Sequence, residues 1–323
     1  MKRSLLPFLV CSECQQFYTL ENVTESEGEE VLTAELRCPC KTFPVLRGIP
    51  RFVESEHYAA NFGYEWTRFN TTQLDSNTGL KQSENTFIQK TGWTLNSFTP
   101  ADTVLDVGCG PGRFIEVIAG SAATIIGIDL SQAVESAYQN IGRRANVHII
   151  QADVFKLPFC AETFSRIYSI GVLHHTPSTE KAFYNLPKLL KPEGQLAIWV
   201  YRKPPFGLKS LTHLFRLWTK KMSYTELIRF CQALDRYWYP LVRIFRIGKV
   251  YPLRLLLFTS VFPMKEWRIL NNFDAYSPPY NHQHTKKEVS GWFANSGLTD
   301  IQLLDVDSAV RGAKPARIKP QPN

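Results

Sequence analysis

The chain has 323 residues, 44% of them hydrophobic, with a formal net charge of +8. That length and apolar content exclude a disordered chain and leave room for one large or two modest domains. The longest uncharged apolar run, Leu255 to Met264, is too short to span a bilayer. The opening MKRSLLPFLVC has an apolar stretch only from Ser4 to Val10 and no small-residue cleavage site, so the expected location is the cytoplasm.

Seven cysteines stand at 11, 14, 38, 40, 109, 160 and 231. An odd number argues against a full disulfide framework. The first four form Cys11-x-x-Cys14 and Cys38-x-Cys40, separated by the acidic stretch ENVTESEGEE. Two tight cysteine turns can supply the four ligands of a tetrahedral zinc. A segment of this size builds little core, so a metal would contribute folding energy directly. Four sulfurs would leave no open coordination position, which makes the expected zinc structural. A reduced, metal-free relic and, last, a disulfide are the other readings, and the second turn is one residue shorter than C-x-x-C. With FPVLRGIPRF after the last cysteine, the segment resembles the zinc-ribbon domain known as a free activator of tRNA and release-factor methyltransferases. The same domain is fused in front of other methyltransferases.

DTVLDVGCGPGRFIEVIA reads as a buried strand, a glycine turn and the start of a helix. Glycines let the backbone approach a ligand. A second strand, ATIIGIDLS, ends in Asp129, nineteen residues after Gly110, where an acid can grip a ribose. Nicotinamide dinucleotides are the competing ligand. Their fingerprint wants a third glycine where this chain has Arg113. Asp106 stands two residues before the first glycine, and Asp153 ends a third strand in VHIIQADVFKLPF. Three acidic strand ends suit an ammonium, a ribose and an adenine. Here the chain resembles the class I S-adenosylmethionine (SAM)-dependent methyltransferases, over about residues 100–201 and again from about 285. FSRIYSIGVLHHTPSTEKAFYNLPKLLKPEGQLAIWVY continues the likeness as strands four and five, and SGLTDIQLLDV as strand six.

The resemblance implies an α/β, Rossmann-like sheet with helices on both faces. It places Asp106, Gly108, Cys109, Gly110 and Gly112 around the methionine end of SAM. Asp129 and Leu130 would hold the ribose, Asp153 and Val154 the adenine, and Ile170 and Gly171 would lie under the sulfonium. NFGYEWTRF resembles a segment preceding the core in zinc-ribbon-fused methyltransferases of the methyltransferase-11 type. It folds either over the cofactor or as apolar contacts between domains.

From Arg202 to Arg268 fourteen Lys/Arg face three acids. LKSLTHLFRLW puts Leu208, Leu211, Leu214, Phe215 and Trp218 on one helical face. YTELIRFCQALDRYWYPLVRIFRI does the same for Leu227, Cys231, Leu234 and Trp238, with a kink expected at Pro240. This is the pattern of a basic helical lid, by itself or with contact to an anionic membrane through 202–268. The expected domains are a zinc-ribbon-like module at 1–53, a linker with cofactor-capping helices at 54–100, a SAM-binding core at 101–201 and 285–310, the lid at 202–284, and a flexible tail at 311–323.

Ser277-Pro278-Pro279-Tyr280 spells a motif with which amino-methylating enzymes clamp a base, but that motif belongs after strand four. There this chain has SIGVLHHT. Nucleic acid is therefore the weaker acceptor class. The expected acceptor is a small molecule or a lipid- or glycan-linked one, methylated at oxygen or carbon. Such an acceptor must lose a proton, and histidine is the natural base. His175 is the first candidate because strand-four ends lie next to the transferred methyl, and His174 and His284 with Tyr280 are the others. An RNA methyltransferase and a non-catalytic adaptor that keeps the fold are the rival readings.

Overall fold

The computed structural model describes residues 1–53, 58–203, 212–246, 248 and 251–317. Leu208 and Leu211 lie outside these residues, as do 318–323.

Eleven strands form one sheet in the order β1-β2-β3-β4-β7-β6-β5-β8-β9-β11-β10. Four make an antiparallel meander: β1 (Thr19–Glu27), β2 (Glu30–Arg37), β3 (Thr42–Leu46) and β4 (Ile49–Phe52). Arg47 and Gly48, both at positive φ, turn β3 into β4 as a two-residue hairpin requires. β4 then pairs in parallel with β7 (Val147–Ala152), Arg51 opposite Gln151. Arg51 also donates to the Gln151 side chain at 2.9 Å. The boundary expected at residue 53 is thus a change of strand partner within a continuous sheet.

Three helices follow: α1 (Ala60–Arg68), α2 (Asp75–Thr78) and α3 (Gln82–Thr91). The core alternates β5 (Thr103–Val107), α4 (Arg113–Ile118), β6 (Thr124–Asp129), α5 (Ala133–Ala137), β7, β8 (Phe164–Ile170), α6 (Thr179–Tyr184) and β9 (Leu190–Trp199). Every residue of β5 and β7 is buried, as expected for parallel strands covered on both faces. Strand order reverses between β5 and β8, and a ligand crevice opens at such a switch point.

The segment after β9 is helical: α7 (Thr212–Thr219), α8 (Tyr224–Ala233), α9 (Tyr239–Ile244) and α10 (Lys265–Tyr276). A π-helical turn, Leu234–Trp238, joins α8 to α9 just before Pro240, so the expected kink is a local change of helical winding. Leu227, Cys231 and Leu234 pack with Phe273 and Tyr276 of α10 in a separate apolar cluster. The buried Asp235–Arg268 pair joins the π turn to α10 at 2.5 Å. Then come α11 (Lys286–Asn295), β10 (Thr299–Leu303) and β11 (Ala309–Ala313). β11 slots antiparallel between β9 and β10. The flexible tail expected from 311 is corrected as far as Arg317. Lys314 bonds the Gly194 backbone and Glu162, and Arg317 pairs with Glu162.

Candidate active site

The loop after β5 needs its glycines. Gly108, Gly110 and Gly112 have φ of +80°, +53° and +88°, a region side chains disfavour. A Cβ on Gly108 would lie 2.3 Å from Val172 Cγ1, so the loop closes against the end of β8. The Asp129 carboxylate organises it from β6. One oxygen accepts from the Gly110 N–H at 3.0 Å, the other from the Ser131 N–H and hydroxyl at 2.9 and 2.8 Å. Burial pushes this carboxyl up, and the bonds from Ser131 and Gly110 oppose that.

A cavity of about 360 Å³ lies over the C-terminal ends of these strands. Gly108, Cys109, Gly110, Asp129, Leu130, Val154, Ile170 and Gly171 line it. Three other residues named from the sequence do not. Asp106 is 1% exposed behind the loop, with Oδ2 unpartnered and its electrostatic contact to Tyr168. Side chains alternate along β5, which turns Asp106 away from the cavity. Gly112 caps α4. Asp153 accepts from the Phe155 N–H at 3.0 Å and borders a second cavity of about 110 Å³, shared with Cys11 and Tyr18. Tyr58 of the main cavity feels both Asp153 and Asp129, which with burial hold its phenol protonated.

The NFGYEWTRF segment does two jobs as α1. Phe62, Glu65 and Trp66 line the cavity, and Trp66 Nε1 lies 3.3 Å from where a Cβ on Gly110 would sit. Tyr64 and Phe69 face the lid cluster instead.

Across the loop, His175 lies in the cavity wall, 3% exposed. Its Nδ1 is 3.0 Å from the Tyr280 carbonyl oxygen. A carbonyl only accepts, so Nδ1 carries the proton and Nε2 keeps its lone pair. Nε2 has no hydrogen-bond partner and lies 3.7 Å from Asp274 Oδ1. The other Asp274 oxygen accepts from the Tyr201 hydroxyl at 2.6 Å. Burial pulls the imidazole below its ordinary value, and Asp274 and the Tyr280 carbonyl work against that.

Residues 105–198 match the family described as "Methyltransferase domain". Over that segment the chain resembles a methyltransferase domain. Its relatives include malonyl-[acyl-carrier protein] O-methyltransferase of Legionella pneumophila, 29% identical over 41% of this chain and 46% of that protein. The mouse protein named "Probable tRNA methyltransferase 9B" is 31% identical over 36% of this chain and 26% of its own length. The chain therefore spans between about a quarter and a half of the length of these curated relatives. A solved SAM-dependent methyltransferase from Aquifex aeolicus aligns over 76% of this chain and 96% of its own, at 16% identity and a TM-score of 0.41.

Beside the methyltransferase domain's cavity, two of the other expected proton-handling residues stand off. His284 packs edge-on against Trp292 at 4.8 Å, and its backbone N–H donates to the Tyr201 carbonyl. Tyr280 is 36% exposed and its ring meets Tyr58 and His282. Neither lines the cavity. The SPPY stretch works through its backbone. Arg216 donates to the carbonyls of Ala275 and Pro278, Lys220 to that of Pro279, and His175 to that of Tyr280. His174 is fully buried on Tyr201, ring centroids 3.9 Å apart, and burial drives its imidazole far down, so it stays neutral.

Sequence reasoning named His175 but missed Asp274, Tyr201, Glu65 and Lys90. All four line the cavity. Asp274 was readable in the Asp-x-Tyr-x-Pro-x-Tyr pattern of FDAYSPPY, while Glu65 reads as an ordinary polar helix residue.

At the other end of the meander the ligand sulfurs of Cys11, Cys14, Cys38 and Cys40 all lie within 4.8 Å of one another. The shortest separations are 3.5 Å (Cys11–Cys40) and 3.6 Å (Cys38–Cys40). A zinc tetrahedron with bonds of about 2.3 Å has an edge of roughly 3.8 Å, so the set fits a four-sulfur ion. Burial opposes ionising Cys11. The N–H groups of Cys14 and Glu13 and the Tyr18 hydroxyl outweigh it and bring this thiol down to about 6. Its neighbours Cys14 and Cys11 push Cys40 up to about 12.

Proposed function

We propose that the chain methylates a hydroxyl oxygen of a small-molecule or lipid-linked acceptor, with His175 as the general base. The observation that carries this is the fixed tautomer of His175 in the cavity wall: Nδ1–H tied to the Tyr280 carbonyl, Nε2 buried without a hydrogen-bond partner and Asp274 at 3.7 Å. Bound SAM supplies a methyl group on a sulfonium, ready for in-line displacement. The residues that would hold it are the glycine turn and Leu130, with Asp129 at the ribose. This chain's own task is to align the acceptor, exclude water and accept one proton. His175 Nε2 would accept the proton of the acceptor hydroxyl, while the new oxygen–carbon bond would replace the methyl–sulfur bond and S-adenosylhomocysteine would leave with that electron pair. The imidazolium so formed faces Asp274, whose charge stabilises it, and Tyr201 holds that carboxylate in place.

The cysteine cluster serves this reading as a structural zinc site that fastens the meander beside β7. Its likeness to a methyltransferase-activator zinc ribbon rests on the paired cysteines and FPVLRGIPRF.

The lid supports a membrane source for the acceptor. Leu217 and Trp218 of α7 are 67% and 56% exposed, and Ile244 of α9 is 72% exposed. Lys220, Lys221, Arg236, Arg243 and Arg246 are exposed among them. Exposed apolar residues with basic neighbours suit the surface of an anionic bilayer. No helix among the described residues is long and apolar enough to cross one.

The test is twofold. Calorimetry with SAM or S-adenosylhomocysteine (SAH) should show binding, and its absence would leave the adaptor reading. Labelled methyl from SAM should enter a lipid or small-molecule extract rather than RNA, and His175→Gln should abolish the transfer while SAH still binds. Label entering RNA alone would refute the acceptor class.

A further inference from the structure

Five elements converge on the lid side of the cavity: α1 brings Glu65, α3 Lys90, α10 Asp274, and the ends of β8 and β9 bring His175 and Tyr201. We infer that this side is a binding site for a polyhydroxylated ring of sugar type, held by Glu65 and Asp274 while one of its hydroxyls meets His175. The inference rests on the methyltransferase reading and specifies its acceptor.

Glu65 is the unexplained group. It is 0% exposed, and neither carboxyl oxygen has a partner. A buried polar group left unpaired is costly, and one kept in a ligand cavity points to a partner that arrives with the ligand. Burial first, then the Asp274 charge, push the Glu65 carboxyl well up, so it stands as a neutral acid that donates one bond and accepts others. Asp274 uses one oxygen for Tyr201 and leaves Oδ1 open as an acceptor. The Lys90 ammonium lies 3.1 Å from the Trp199 ring centroid and supplies a donor to the same cavity. Burial first, then Arg113, lower it to about 7.

The mixture selects the ligand. An apolar sterol or acyl chain would seal Glu65, Asp274 and Lys90 in without partners. A cationic amine would meet Lys90, and an anion would meet Asp274. Hydroxyls donate and accept alike, so a ring carrying several of them can satisfy a neutral acid, a carboxylate, an imidazole lone pair and an ammonium together. Its C–H faces need apolar cover, which Phe62 and Trp267 in the same wall provide.

The experiment uses the full chain saturated with SAH. Saturation-transfer NMR is run with methyl glycosides of hexoses, 6-deoxyhexoses and a uronic acid, with myo-inositol, and with octyl β-glucoside below its micellar concentration; cytidine is the control. Ring C–H protons of at least one polyol should take up saturation. Glu65→Gln and Asp274→Asn should each weaken that contact about tenfold or more, with SAH affinity unchanged. Stronger contact from the octyl glycoside marks a lipid-linked acceptor, and equal contact a soluble one. The inference is overturned if SAH binds and no polyol is contacted, if both variants leave the contact unaltered, or if cytidine displaces it. Failure of SAH itself to bind would instead remove the methyltransferase reading. Should a variant not fold, the wild-type ranking of polyols against cytidine still decides.

Discussion

Asp129→Ala is the most direct test of the cofactor assignment, because this carboxylate has two tasks. In the protein as it stands it accepts three hydrogen bonds, from Gly110 N, Ser131 N and Ser131 Oγ, at 2.8 to 3.0 Å. With cofactor bound it would also accept from the ribose. Hydrogen bonds to a charged group contribute about 1.5–3 kcal/mol, and a donor left unpaired costs about 1–3 kcal/mol. Water can enter the space of the missing carboxylate, since Asp129 is only partly buried. The net loss in SAH binding is therefore about 1.5–3 kcal/mol, or roughly 10- to 150-fold in Kd. Ser131→Ala is the control. It removes one hydroxyl bond and keeps the carboxylate, so SAH affinity should stay within about threefold of wild type. Titration calorimetry gives the affinity, and a thermal melt shows whether the loop alone is lost. An Asp129→Ala protein that melts normally and binds SAH within about threefold of wild type would refute the assignment.

Purified under reducing conditions, the protein should carry about one zinc per chain by elemental analysis, and a fully folded, zinc-free protein would sink the four-sulfur site. The rate of methyl transfer should rise with pH up to the lowered titration of His175 and then level off near neutrality, because the neutral imidazole is the proposed base. Asp274→Asn should move that acid limb further down, by removing the charge that favours the imidazolium, and should cut the rate about 100-fold; an unmoved limb counts against the pairing. His148, on β7, is held neutral by burial first and then Lys2, with its imidazole down at about 4. A depressed histidine contributes stability in full above its unfolded value near 6.5 and loses it as pH falls toward 4, so urea unfolding should show about 2 kcal/mol lost by pH 5, and His148→Gln should remove that share of the slope. Co-sedimentation with anionic vesicles should fall as salt rises past about 0.1 M, where the screening length is about 10 Å, and should vanish in Arg243→Glu/Arg246→Glu while SAH binding persists; equal partitioning to neutral vesicles goes against the membrane contact.

How far the sequence can be read depends on which part of a residue does the work. Asp129 was legible because a strand, a glycine turn and an acid at fixed spacing are local, and local patterns survive without knowledge of the fold. The cysteine set was legible for the same reason, although its two turns meet only when β1 to β3 fold back. The joining of β4 to β7 was not legible. Arg51 meets Gln151 a hundred positions away, and no local signal picks a parallel partner at that distance. Asp106 fits the letters of a cofactor acid; it is buried with one carboxyl oxygen unpartnered and does not line the cavity. Glu65 fails the other way. On an amphipathic helix it looks like a solvent residue, and only the arrival of α10 from more than two hundred positions on encloses it with Asp274.

SPPY shows the limit most clearly. Its letters name side chains that could clamp a base, but in this fold the working atoms are main-chain oxygens. Arg216 and Lys220 hold three carbonyls of residues 275 to 279, and that fixes where the chain leaves the lid. The next carbonyl, of Tyr280, is thereby set at His175 Nδ1 and decides which ring nitrogen keeps its lone pair. A carbonyl oxygen is present whatever the residue, so the sequence alone could not show that this stretch reaches His175. What the sequence did show was its address after strand five, and the expectation of a non-nucleic-acid acceptor rests on that address.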